Sequence, residues 1–431
     1  MGTGAPLLLS ASEETWYGAL GVTPPIFTPE QLAEVKAYAR PYYVAMVFSD
    51  VFNIALNLLL LRFTVAPLYR AAGRVVERGA RFGGRVRRTP VLRAFPAVLD
   101  KLWNGPGWAQ ALLFTFFNMV VVELAAMPVF LYFQYFHERA YGLSNYTPLT
   151  FAWDVFKSYG VNTLVISMLT IGVYGLARRM RLWWLVLGVV AGAGTFVSEA
   201  LDAYRSRLTF EQSSMPAGPL RAQLEELLHR GDIEFSDIVV QKTSRASKKV
   251  DVWLAGRGAS RKVIITDEFL AQFPPDEVVA GVAHEAGHVK QPRALGRIAS
   301  FLAIIGFLFL VDRIFRWTPR KGWWGIRDVA DIRTLPVIFF AFNLISDFAA
   351  PLSAVYGREG ERDADHFAVR MTHDPAAFER MLVRAARLNK SDPDPPQWIV
   401  WLGMSHPPIG ERIAWAEEQR EKLGSAGSAS P

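Results

Sequence analysis

The chain has no cysteine among its 431 residues, so it forms no disulfide and cannot hold a metal through thiolates. Any zinc-type site must therefore use histidine and carboxylate. Charge is scarce as well: Asp, Glu, Lys and Arg make up 20 %, against 51 % hydrophobic and 13 % aromatic residues, and mean hydropathy is +0.16. That balance argues against an ordinary soluble enzyme and for a membrane protein. The formal net charge is +7, but the cations crowd beside apolar runs, where lipid head groups and topology account for them. Membrane lipid is the expected partner, and nucleic acid is not. Leu7-Leu8-Leu9 lacks a basic flank and a long apolar core, so no cleaved leader is expected.

Long apolar runs are what the chain does have, at about 43–66, 109–133, 156–176, 182–203, 300–316 and 335–355. At ~1.5 Å per helical residue, a run of roughly 20 crosses ~30 Å of hydrocarbon. The fifth is short and interrupted by Asp312 and Arg313. Asn118 and Glu123, Glu199 and Asp202, and Asn343 and Asp347 fall in or at the ends of runs. Lipid contact would be costly there, so they should face water, the bundle interior or one another. The loop from Pro67 to Gly107 carries Arg70, Arg74, Arg78, Arg81, Arg85, Arg87, Arg88, Arg93 and Lys101, which marks it as cytoplasmic.

The resulting division is an N-terminal segment 1–42, membrane helices 43–204, a soluble domain 205–299, a membrane pair 300–355, the rest of the soluble domain 356–419 and a disordered tail 420–431. Within the soluble part, Pro219 to His229 reads as an amphipathic helix. Ile233 to Lys242, Lys248 to Gly256 and Lys262 to Thr266 read as strands. An edge strand can hold an extended peptide by main-chain hydrogen bonds, and Val250, Asp251 and Val252 are the candidates here, a purely structural hairpin being the alternative.

One stretch demands a chemistry. In His284-Glu285-Ala286-Gly287-His288 the two histidines lie four apart, so on a helix both imidazoles reach one ion with Glu285 beside it. Asp276, after Pro274-Pro275, is the expected N-cap of that helix. Catalytic zinc usually takes three protein ligands, and one zinc per chain is expected. The third is sought in Glu359-Gly360-Glu361-Arg362-Asp363-Ala364-Asp365-His366. Glu361 and Asp365 share a helical face, so one can ligate while the other supports a ligand imidazole, though Glu359, Asp363 and His366 compete on spacing.

The order HEAGH, two apolar runs, Glu361-Arg362-Asp363-Ala364-Asp365 and then Ser405-His406-Pro407-Pro408 resembles the type I CAAX prenyl-protease family. His137 to Thr147 resembles that family's loop between membrane helices. The resemblance implies an α-helical integral membrane bundle of six to seven spans carrying a small α+β gluzincin-type metalloprotease domain. It also implies a zinc metalloendopeptidase with His284, His288 and Glu361 as ligands, Asp365 supporting them, Glu285 as base and His406 against the substrate carbonyl. A peptide or protein substrate, lipidated in the family's prenylated cases, is implied too. A quality-control protease like the family's heat-shock relatives, and a scaffold with structural zinc, are the alternatives. Departures are Asp251 where the family has asparagine, Gly357 where it has serine, and no clear span in 67–107. The family's cytoplasm-facing site would require a further crossing at Pro90 to Trp108; without one, the basic loop sets the HEAGH segment on the other side. A multi-pass protein of a bacterial inner membrane, or of the ER membrane if the source is eukaryotic, is the expected setting.

Overall fold

A computed structural model describes residues 27–82, 98, 101, 107–292, 294–326 and 328–428. The first helix, α1 (Pro29–Phe63), starts at a capping box in which Thr28 and Gln31 exchange side-chain and main-chain hydrogen bonds. Next comes α2 (Val65–Phe82), which accounts for the first part of the basic loop. Val65 and Ala72 are buried on one of its faces while Arg70, Arg74 and Arg78 stay exposed, so it is amphipathic. The expected crossing at Pro90 to Trp108 lies outside the described residues, save Val98, Lys101, Gly107 and Trp108.

α3 (Trp108–Ala140) contains a π-helical turn at Tyr132–His137, which turns His137 and Glu138 into the interior. α4 (Pro148–Arg179) and α5 (Trp183–Thr209) complete the first part of the bundle. Among the described residues, α1, α3, α4, α9 (Ala294–Lys321) and the stretch Ile332–Thr372 containing α10 (Leu335–Thr372) are long and apolar enough to cross a membrane, and Trp183–Glu199 in α5 is a shorter apolar stretch. Each of the six expected runs thus falls in a helix. Phe48, Val51, Leu164, Leu169, Phe348 and Leu352 point outward and exposed, the reverse of a water-soluble surface. Inside, Phe114, Ile171, Tyr174, Trp183 and Phe315 form the core. Arg178 donates to Ala330 C=O, Arg316 to Arg181 C=O and Arg333 to Trp324 C=O, so cations gather at the end of the bundle where α4 ends and α10 begins.

The polar groups in these runs find separate roles. Glu123 accepts from Thr163 at 2.8 Å, tying α3 to α4. Asp312 accepts from Trp183 Nε1 at 3.0 Å and pairs with Arg316 at 2.8 Å. Glu199 and Asp202, on α5, line a cavity with soluble-domain residues, and Glu199 lies 3.9 Å from Arg257.

That domain holds β1 (Gln212–Ser214), α6 (Pro219–Arg230), β2 (Asp237–Gln241), β3 (Val252–Ala255) and β4 (Lys262–Thr266). The sheet order is β1-β2-β4-β3, with β2 and β4 parallel and the other pairs antiparallel. β4 is buried throughout and matches its expected bounds, whereas β2 and β3 are shorter than expected because their outer residues turn away to other partners. β1 carries no sequence signal of its own at three residues. β3 is an edge strand, paired on one side only.

Five further helices finish the domain: α7 (Asp267–Gln272), α8 (Pro275–Lys290), α11 (Pro375–Asn389), α12 (Gln397–Gly403) and α13 (Ile409–Ser428). The N-cap of α8 is Pro274, with no side-chain cap, which corrects the expectation for Asp276. Asp276 lies instead in the first turn, where its carboxylate suits the helix dipole and pairs with Arg380 at 2.6 Å. The expected tail from 420 is helical as far as Ser428, because α13 simply continues. Leu224, Ile238, Val263, Val278, Val282, Phe378 and Leu382 make the core beneath α8.

Candidate metal centre

α8 buries Val278, Val282, Ala283 and Ala286 on one side, and this orientation carries His284 and His288 toward α10. The two helices approach so closely that a Cβ on Gly287 would lie 2.8 Å from Ala364 Cα. The glycine between the histidines is therefore a steric requirement, since it lets α10 bring Glu361 to them. Gly357 acts alike one turn earlier: a Cβ there would meet Ser405 C=O at 2.9 Å, so glycine in place of serine admits the chain carrying His406.

His284 Nε2 lies 3.3 Å from Glu361 Oε2, and His288 Nε2 lies 3.3 Å from Glu361 Oε1. The three ligand atoms fall within 4.8 Å of one another. Ligands about 2.0–2.1 Å from a tetrahedral ion lie roughly 3.3 Å apart, so the spacing suits a metal. Glu361 Oε2 is buried and without a hydrogen-bond partner among the described residues, a position that only a cation or a proton would satisfy. Glu359, Asp363 and His366 are exposed, Glu359 being paired with Arg362 at 2.7 Å and His366 set against Trp415. The geometry brings Glu361, and not its rivals, to the histidines.

Asp365 Oδ1 stands 2.9 Å from His284 Nδ1, which holds the imidazole with Nε2 aimed at the site. Arg412, from α13, pairs with Asp365 at 2.6 Å and approaches Glu361 Oε2 to 3.6 Å. Burial alone would lower the His284 pKa, but the Asp365 and Glu361 carboxylates outweigh it and hold the pKa up at about 9 without a metal. On the far side of His288, Gln291 bridges Nδ1 and Gly360 C=O. His406 Nε2 comes 3.2 Å from Glu361 Oε1. Although much of the ring surface is exposed, desolvation at its inner side and the Arg412 guanidinium lower its pKa from the ordinary histidine value, against the Glu361 carboxylate.

Glu285 forms a wall shared by two cavities. One, of about 860 Å³, is lined by Asp251, Val252, His284, Glu361 and His406, and the other, of about 630 Å³, by Trp253, Leu254, His288, Glu199 and Asp202. The open edge of β3 runs from one cavity to the other past Glu285. Burial raises the Glu285 pKa, and the negative charges of Asp251 and Glu361 add to that while the two histidines oppose it. Asp251 opens into the larger cavity with protein on most sides, and its pKa is pushed up to about 6 by that burial, against the Val252 N–H that it accepts at 2.9 Å.

Residues 214–420 match peptidase family M48, and residues 22–201 match the CAAX prenyl protease N-terminal family of five membrane helices. CAAX prenyl protease 1 of Saccharomyces cerevisiae is 20 % identical, across 91 % of this chain and 87 % of its own. An uncharacterized Bacillus subtilis metalloprotease, YhfN, is 22 % identical, across 72 % of this chain and 74 % of its own. The crystal structure of S. mikatae Ste24p superposes with a TM-score of 0.73 at 18 % identity, covering 94 % of this chain and 95 % of that one. This chain belongs to the type I CAAX protease family. It is a multi-pass membrane metallopeptidase, and its apolar helices between residues 22 and 201 fall in the matched membrane-helix region.

Several groups at the peptidase centre were not singled out from sequence. Arg412 stands in the stretch after Ser405-His406-Pro407-Pro408 and has no spacing that links it to Asp365. At the other end of the larger cavity, Tyr38 and Tyr42 each donate to Glu138 Oε1 at 2.7 Å, and Lys249 Nζ approaches it to 2.9 Å. Glu138 lies in the loop-like stretch His137 to Thr147, but only the fold shows that it faces α1. Asn389, at the end of α11, pairs with Val250 on β3's approach and had no signal at all.

Proposed function

We propose that the peptidase is a zinc metalloendopeptidase that cuts an extended segment of a peptide or membrane-protein substrate, of the CAAX-processing type. The observation that carries this is the convergence of His284, His288 and Glu361 beside Glu285, at the point where the open edge of β3 passes between two cavities. When bound there, zinc polarises a carbonyl and brings the pKa of a water down to about 7. His284, His288 and Glu361 hold it, while Asp365 and Arg412 fix the orientation of His284 and balance the charge of Glu361.

Glu285 accepts a proton from the attacking water and delivers it to the leaving amine, and its raised pKa suits both transfers. Neutral His406, beside Glu361, donates to the carbonyl oxygen as negative charge develops. The Leu254 main chain and the Val252 C=O offer hydrogen bonds that hold the substrate extended, while the Val252 N–H is held by Asp251 beside the track. Full-length protein in detergent should contain about one zinc per chain. A chelator should stop cleavage of a model peptide and added zinc should restore it. Cleavage that survives both metal removal and Glu285→Gln would sink this reading.

A further inference from the structure

Along an antiparallel edge strand the main-chain groups alternate in direction. Those of Asp251 meet Thr266 on β4, so those of Val250, Val252 and Leu254 face away from the sheet. The Val250 pair is already engaged. Asn389 Oδ1 accepts from Val250 N–H at 2.9 Å, and Asn389 Nδ2 donates to Val250 C=O at 3.0 Å. One side-chain amide thus makes both hydrogen bonds that an added strand would make there. It is also held in place. α11 ends at Asn389, Lys390 follows in the left-handed region at φ 52°, and the Lys390 ammonium is anchored on Glu34 at 2.7 Å.

We propose that Asn389 is a stop at the end of the substrate track, which sets how many residues lie between the cut and the Val250 end. This rests on the peptidase reading above. Val252 lines the cavity with His284 and Glu285, and Trp253 and Leu254 line the one with Glu285 and His288, so the cut falls at the level of Val252 and Trp253. From there to Val250 is roughly two residues at ~3.3 Å each. A substrate antiparallel to β3, the commoner pairing and the one β3 already makes with β4, sends its C-terminal side toward Asn389. A short C-terminal leaving segment fits before the stop. A longer one finds both Val250 groups taken by Asn389 and has to bend into the cavity toward Tyr38 and Lys249, which strains its main-chain hydrogen bonding at Val252, the last residue before the stop.

The test uses the full-length, zinc-loaded chain and a fluorogenic peptide lengthened residue by residue at its C-terminus. In the natural chain kcat/KM should fall about tenfold once the leaving segment outgrows the stop, as expected when the bend weakens one or two net hydrogen bonds next to it. Asn389→Ala should remove that fall and let the cut move farther from the C-terminus, as read by product masses. Asn389→Asp keeps the acceptor and loses the donor, and should lie between. An unchanged length dependence in Asn389→Ala, or an equal loss at every length with the cut unmoved, overturns the proposal. Binding of the same labelled peptides to the Glu285→Gln chain, with and without Asn389→Ala, separates this from the peptidase reading. Affinity that levels off with length only when Asn389 is present supports the stop even if nothing is cut. Binding that is absent or indifferent to length and to Asn389 overturns it.

Discussion

The bundle and the soluble domain solve opposite packing problems. In the domain Leu224, Ile238, Ile264, Val278 and Phe378 are 0 % exposed, and buried polar groups form local pairs such as Asp365 with His284 and Arg412, and Glu277 with Arg384. In the bundle Phe348 and Leu352 are 77 % and 76 % exposed, while Thr115, Thr163, Ser167 and Thr170 are buried. Lipid is as apolar as a leucine side chain, so turning apolar groups inward gains little there, and close packing with internal hydrogen bonds holds the helices together. α5 and α9 meet through Gly188 and Gly192, whose missing Cβ atoms make room for Ile305 and Phe301. One helix belongs to both regimes. α10 begins among bundle residues at Leu335 and ends in the domain, where Glu361 and Asp365 are buried. The candidate peptidase centre therefore sits at the seam between the two packing regimes.

Removing the base should have the largest effect. Glu285→Gln is expected to cut kcat by about 10²–10⁴-fold while zinc content stays near one per chain, measured by peptide cleavage and metal analysis. The two packing regimes predict different costs for the same substitution. Phe378→Ala, in the domain core, should destabilise by about 3–5 kcal/mol, and Phe348→Ala, on the outward face of α10, should change stability by only about 0.5 kcal/mol. Equal shifts in a denaturant titration in detergent would show that the contrast between the two regions is wrong. Asp365→Ala should weaken zinc affinity about 10–100-fold by freeing His284 to rotate, which competition with a chelator would measure.

The smallest effect concerns Asp251. Its charge adds to the raised Glu285 pKa, so Asp251→Asn should move the acid limb of the kcat/KM profile to lower pH. The sign for stability also follows. A carboxyl whose pKa is raised by folding, here to about 6, binds its proton more tightly in the folded chain. Its contribution is most favourable below about pH 4 and is lost as pH rises through about 6. Asp251→Asn should therefore melt higher than the natural chain near pH 7, and the gap should close toward pH 4.

Much of this was legible in the residues alone. Apolar length places the helices, since crossing hydrocarbon needs an uninterrupted run, and four-residue spacing pairs His284 with His288 and Glu361 with Asp365 because α-helical geometry is local. Absence of cysteine restricted the ligand chemistry before any fold was known. What spacing left open was decided by tertiary contact. Glu361 prevails over Glu359, Asp363 and His366 because the missing Cβ of Gly287 sets which face of α10 meets α8. Arg412 joins Asp365, Glu138 joins Tyr38 and Tyr42, and Asn389 closes β3 at Val250, each across long stretches of chain. The sequence by itself determined the elements and the metal-binding residue types, which depend on short-range periodicity. Only the folded chain decided which side chains meet at the site and that Asn389 covers the Val250 end of the edge strand, because those follow from how helices and an edge strand distant in sequence pack against one another.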